Sequence, residues 1–186
     1  DLIRSRGLGD VYKRQVQRLK TFINMDSKVL IVGTHIGALA IPLSKHCKEI
    51  TAIEANPNTF ELLEINLHLN HAKNITPHNI LANDSHEKVE FLLNTVNSGG
   101  SKRKPKKSSF LYDFDNPEII ELQSHKLDDY LSEHDYDLVL LDIEGSEYFA
   151  MKGMKDILSN CKTLVVEFLP HHLKTVSYTH LRAHET

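Results

Sequence analysis

Two glycines four positions apart, Gly33 and Gly37, follow the apolar run Val29–Val32, and an acid, Glu54, closes the next apolar run, Glu49–Ile53. A glycine turn after a first strand lets backbone approach a ligand closely, and an acid ending the second strand can accept hydrogen bonds from a ribose. Asp142 and Glu144 end a later apolar run, Tyr136–Leu141. Carboxylates at the end of a central strand lie where open α/β sheets bind ligands.

The turn Gly33-Thr34-His35-Ile36-Gly37 narrows the choice of ligand. A dinucleotide site wants G-x-G-x-x-G, whose middle glycine admits a pyrophosphate, and His35 stands in that place. No lysine followed by serine or threonine comes after Gly37, so it is not a P-loop. A nicotinamide oxidoreductase is disfavoured by the missing third glycine. A ligand with a ribose and no phosphate fits better, and S-adenosylmethionine is such a ligand. Its sulfonium is cationic, which suits carboxylates near the strand ends.

The elements that must hold these residues can be read from periodicity. Val16, Leu19, Phe22 and Ile23 predict a short helix over Val16–Asn24. Lys28–Val32 reads as a central strand buried on both faces. A helix to about His46 follows the turn, kinked or delayed by Pro42. Glu49–Ile53 is a strand, and Asn56-Pro57 caps and starts a helix to about Asn70, with Phe60, Leu63, Ile65, Leu67 and Leu69 as its apolar face. Strands are expected at Ile75–Leu81, Lys88–Leu93, Ile119–His125, Tyr136–Leu141 and Thr163–Phe168. Helices are expected at Leu127–Leu131, with Asp128 and Asp129 in its first turn, and at Ser146–Ser159. Strands alternating with helices imply an α/β fold with a mostly parallel sheet and helices on both faces.

Thr95–Asn116 contains Ser98-Gly99-Gly100-Ser101 and the basic run Lys102–Lys107, and reads as a flexible basic insertion, residues 95–116, solvated or serving as a lid. Asp1–Gln15 and Val176–Thr186 show no periodicity and resemble translated sequencing-adaptor DNA, as in an environmental fragment. The expected organisation is a tail over 1–15, one domain over 16–175 and a tail over 176–186.

The net charge of −3 gives no electrostatic case for nucleic acid. No apolar run is long enough for a bilayer. Cys47 and Cys161 read as free thiols in a reducing compartment, so a cytoplasmic location is expected. The twelve histidines, His68, His71, His171 and His172 among them, lack metal-ligand spacing, and no metal is expected.

Several segments together carry a more specific signal. VLIVGTHIGALAIPLSK with ITAIEANPNTFELL, NLHLN, LDDYL, LVLLDIEGSEYFAMKGMKDIL and LVVEF resemble, in order and spacing, the FkbM-family methyltransferases. The tract Asp142–Glu147, DIEGSE, followed by a helix containing Lys152-Gly153, is the most distinctive. Ile31 and His35 stand where the family usually has aspartate and asparagine, and the basic insertion is not a family hallmark. The resemblance implies a Rossmann-like class I methyltransferase fold whose sheet is short at its C-terminal end. It implies transfer of a methyl group from S-adenosylmethionine to a hydroxyl oxygen of a sugar or small metabolite. Gly33, Thr34, His35, Gly37, Glu54, Ala55, Asn56, Asn83, Asp84 and Asp142 would hold the cofactor. Asp142 and Glu144 would be catalytic, without a metal or, in the alternative, holding a divalent ion with Glu167. Glu147 and Glu167 would meet a small-molecule or glycan acceptor. The competing reading is a non-catalytic binding module or inactive fragment.

Overall fold

The computed structural model describes residues 8–93, 102–103, 118–143 and 145–166. Five parallel strands form the main sheet: β1 (Lys28–Val32), β2 (Glu49–Ile53), β3 (Ile75–His78), β8 (Leu138–Leu141) and β9 (Thr163–Val166), in the order β3-β2-β1-β8-β9. β1 lies in the middle, and alternation of its side chains divides the core. Val29 and Ile31 face one cluster with Ile50, Ala52, Leu63 and Leu138. Leu30 and Val32 face the other with Ile53, Val139, Leu141 and Met154. A strand flanked and covered on all sides must be apolar where it is buried, as β1 is from Val29 to Val32. Ile31 is 1% exposed inside the first cluster, so the position where the family usually has aspartate is here a packing position.

A second sheet, not expected from the sequence, has the order β4-β7-β5-β6, with β4 (Leu81–Ala82), β5 (Lys88–Leu93), β6 (Lys102–Arg103) and β7 (Glu118–His125). The expected strand Ile75–Leu81 breaks in two to feed both sheets. Its first half carries Pro77, tolerated because β3 is an edge strand. After it, Asn79 Nδ2 donates to the carbonyls of Glu54 and Ala55 at 2.9 and 3.2 Å. Lys102–Arg103, expected in a loop, pairs antiparallel with Phe91 and Leu92. Residues 104–107 of the basic run lie outside the described residues.

The helices differ from expectation in bounds. α1 (Leu8–Leu19) begins upstream of Val16, within the string that shows no periodicity, and a 3-10 turn, Lys20–Phe22, follows it. α2 (Ala40–Ser44) is shorter than the helix expected up to His46. The left-handed backbone of Gly37 (φ 91°) delays its start, and Pro42 then falls in its first turn, where the missing N–H costs nothing. α3 (Pro57–Leu69) begins at the Asn56 cap as expected. It buries Thr59, Leu63 and Leu67, while Ile65 and Leu69 are 54% and 68% exposed. The spacing of 59, 63 and 67 keeps one face on the sheet and turns Ile65 and Leu69 away.

α4 (Leu127–Tyr130) forms where expected. The single helix expected over Ser146–Ser159 is two, α5 (Glu147–Lys152) and α6 (Lys155–Asn160). Asp128 accepts from the N–H groups of Asp156 and Ile157, both at 3.0 Å, and so caps α6. At the break, a Cβ on Gly153 would lie 1.9 Å from the Asn83 carbonyl oxygen. Gly153→Ala is therefore expected to cost about 3 kcal/mol of stability through overpacking against backbone, measured as a lower urea midpoint at unchanged slope.

Candidate active site

The chain runs outward from β1 through β2 to β3, then returns to place β8 on the other side of β1. The crevice outside the carboxyl ends of β1 and β8 is the switch point, where such sheets bind ligands. The glycine turn leaves β1 at this crevice. Gly33 N–H and Thr34 N–H both donate to the Ile53 carbonyl, at 2.9 and 3.0 Å, and Gly37 N–H donates to the Thr34 carbonyl at 3.1 Å. Thr34 Oγ1 donates to the Ile31 carbonyl at 3.2 Å.

Both glycines have positive φ, and both are needed by the protein's own packing. A Cβ on Gly33 would lie 1.8 Å from the Asp142 carbonyl oxygen. A Cβ on Gly37 would meet Ile41 and Leu63 side chains at 3.0 Å. The close approach expected to serve a ligand is thus made, at Gly33, by the end of β8. His35 is also left-handed, at φ 53°, a conformation in which histidine and asparagine are enriched. Burial holds the His35 imidazole below its usual range, favouring the neutral ring.

Glu54 is 8% exposed and turns toward this loop. Its Oε2 accepts from His35 N–H and its Oε1 from Asn56 N–H, each at 2.8 Å. Among the described residues no cation pairs with it. Burial pushes the carboxyl above the usual glutamate range, while the N–H groups of Asn56, His35 and Ala55 pull the other way. A carboxylate has about four lone-pair sites, so these contacts leave capacity for further donors at this buried carboxyl. Two adjacent hydroxyls of a ribose are donors of the right kind. The residues present therefore fit the nucleoside part of S-adenosylmethionine.

Asp142 follows β8, and its N–H donates to the Val32 carbonyl at 2.9 Å, which locks the loop to the end of β1. It is half-buried and engaged. Glu147, expected on the acceptor side, accepts through its Oε1 from Ile143 N–H at 3.2 Å and Gly145 N–H at 3.1 Å. Gly145, at φ 96°, permits those contacts. Glu144 and Glu167 lie outside the described residues.

The other expected cofactor residues divide into two groups. Ala55 and Asn56 adjoin Glu54, and Asn56 Oδ1 caps α3 by accepting from Asn58 N–H at 3.0 Å and Thr59 N–H at 3.4 Å. Asn83 is 2% exposed, and its amide donates toward Ser85, Glu87 and Ser124 at 3.1–3.2 Å. Asp84 pairs with Lys152 at 2.6 Å. These contacts fasten the loop after β4 to β7 and α5. One positioning residue went unassigned in the sequence: Asn66 Nδ2 donates to the Ile36 carbonyl, inside the glycine turn, at 2.9 Å. The paired asparagines of NLHLN were its signal. Among the described residues no group of three or more metal-ligating side chains could hold a metal ion, and no helix is long and apolar enough to cross a membrane.

A family model described as the methyltransferase FkbM domain matches residues 32–184. Among solved structures, precorrin-6y C5,15-methyltransferase from Geobacter metallireducens is 15% identical over 90% of this chain and 66% of its own, with a TM-score of 0.52. Precorrin 8w decarboxylase from Methanobacterium thermoautotrophicum is 13% identical over 89% of this chain and 71% of its own, with a TM-score of 0.51. Both are likenesses of fold. TYW2 of M. jannaschii, in complex with AdoMet, is 28% identical over 40% of this chain, with a TM-score of 0.35, and this chain spans 34% of its length. No curated protein sequence matches. The five-stranded parallel order, the acid at the end of β2 and the match across residues 32–184 agree, and the chain belongs to the FkbM family of S-adenosylmethionine-dependent methyltransferases.

Proposed function

We propose that this chain methylates a hydroxyl oxygen of a sugar or small metabolite, with S-adenosylmethionine as donor. The observation that carries the reading is the buried Glu54 carboxylate, held at the glycine turn with no cation among the described residues. Glu54 accepts from the ribose hydroxyls, and Gly33, Thr34, His35, Gly37, Ala55 and Asn56 shape the wall around it. Asn83 and Asp84 bound the adenine side through the loop after β4. When bound, the cofactor supplies an electrophilic methyl on a cationic sulfur.

The acceptor belongs at the carboxyl end of β8. Asp142, with Glu144 beside it in sequence, accepts a hydrogen bond from the acceptor hydroxyl and takes its proton as that oxygen gains the methyl. A free carboxylate with a pKa of about 4 is a weak base for an alcohol. Orientation of the acceptor, which can contribute about 7–11 kcal/mol, is the larger effect. Glu147 serves by holding the Asp142 loop. The free thiols Cys47 and Cys161 suit a reducing compartment such as the cytoplasm.

Glu54→Gln places an amide NH2 against a backbone N–H. It is expected to weaken S-adenosylmethionine binding about 10- to 100-fold, as for a hydrogen bond to a charged group, measured by calorimetry. Equal affinity in both proteins would contradict the role of Glu54.

The pH dependence has a definite sign. The folded-state carboxyl is raised, so Glu54 favours the fold most at low pH, and that contribution fades as pH rises through its folded pKa. The ionised form is the one that accepts from the ribose. Cofactor affinity should therefore fall on acidification, starting at higher pH than for an exposed glutamate, while Glu54→Gln shows no such step. Titrations between about pH 8 and pH 5 check this against the ordinary glutamate value.

Asp142→Asn is expected to lower the turnover rate about 10²- to 10⁴-fold, the usual contribution of a positioned base. The product with carbon-13 methyl-labelled cofactor and a panel of sugars should be a base-stable methyl ether. Methylated nitrogen or carbon would overturn the assignment to oxygen.

A further inference from the structure

The turn from Gly33 to Gly37 is held from three directions. β2 holds its start through the Ile53 carbonyl, Glu54 holds its middle through His35 N–H, and α3 holds its end through Asn66. The Ile36–Gly37 peptide is fixed on both sides. Its carbonyl accepts from Asn66 Nδ2 at 2.9 Å, and its N–H donates to Thr34 at 3.1 Å. Gly37, at φ 91°, offers that peptide little steric resistance to rotation once its carbonyl is released. Asn66 is itself held in place on the helix, where Asn70 Nδ2 donates to its carbonyl at 2.8 Å.

We propose that Asn66 is a positioning residue for the cofactor: its amide fixes the Ile36–Gly37 peptide and so sets the shape of the turn that meets S-adenosylmethionine. The inference rests on the cofactor reading above. Asn66 acts through the turn and on binding, so it governs affinity for the donor and leaves the methyl-transfer step alone. Leucine copies its shape without a donor. Aspartate copies its size and, when ionised, sets an acceptor against the Ile36 carbonyl.

The full chain carrying Asn66→Leu, Asn66→Asp or Asn74→Leu tests this. Asn74 is a tether of the same kind at the other end of the sheet, with Nδ2 donating to the carbonyls of Ser44, Cys47 and Lys48 at 2.8, 3.2 and 3.2 Å. Thermal unfolding, calorimetric titration with S-adenosylmethionine and steady-state kinetics are measured on each. All three variants should melt below the wild type. Only the Asn66 variants should raise Kd and KM for the cofactor, about five- to tenfold as for one net hydrogen bond, with kcat at saturating cofactor within about twofold. Asn66→Asp gives the result if Asn66→Leu does not fold. Wild-type affinity in a folded Asn66 variant overturns the inference and leaves the cofactor reading standing. An equal loss of affinity in Asn74→Leu also overturns it, since the effect would then be general loosening. A wild-type chain that fails to bind the cofactor overturns both.

Discussion

The hydrogen bond from His35 N–H to the Glu54 carboxylate, 2.8 Å long, ties the end of β2 to the turn that leaves β1. It asks a great deal of the surrounding structure. A carboxylate that is 8% exposed and has no cation among the described residues is costly to bury. Backbone N–H groups from His35 and Asn56 offset part of that cost. They reach it only because His35 adopts a left-handed backbone and because Asn56 bends the chain into α3. In the proposed function, a hydroxyl-bearing ligand meets the remaining electrostatic demand.

Everything around this contact fixes backbone relative to backbone. Gly33 lets the Asp142 carbonyl come where a side chain would stand, so the ends of β1 and β8 close together at the switch point. Glu147 folds the loop after Asp142 back on itself through two N–H contacts. Gly153 does for the second sheet what Gly33 does for the first. It admits the Asn83 carbonyl, and the Asn83–Ser124 contact then joins the loop after β4 to β7. The two sheets are thus connected near the site by tight backbone contacts as well as by apolar packing.

Asparagines perform a large part of this work, each by a different local mechanism. Asn56 caps a helix, Asn66 holds the glycine turn, Asn74 gathers three carbonyls before β2, and Asn79 bends the chain between the sheets. An amide can donate and accept from one short side chain, so it can serve backbone groups that no regular element reaches.

Local pattern was enough to establish much of this protein. The apolar runs of β1, β2 and β8, the Asn56-Pro57 helix start and the glycine turn are legible because each depends on its own few residues. The acid at the end of β2 and the tract around Asp142 were legible for the same reason, and they carried the family. What tertiary structure decided was everything set by a partner distant in sequence. β5 and β7 form a second sheet because residues some thirty positions apart pair. Gly153, between α5 and α6, leaves room for the Asn83 carbonyl, and Ile65 and Leu69 face outward because only one face of α3 meets the sheet. Why Gly33 must be glycine, and where Glu147 and Asn66 direct their side chains, follow from strands and loops that come together only when the chain is folded.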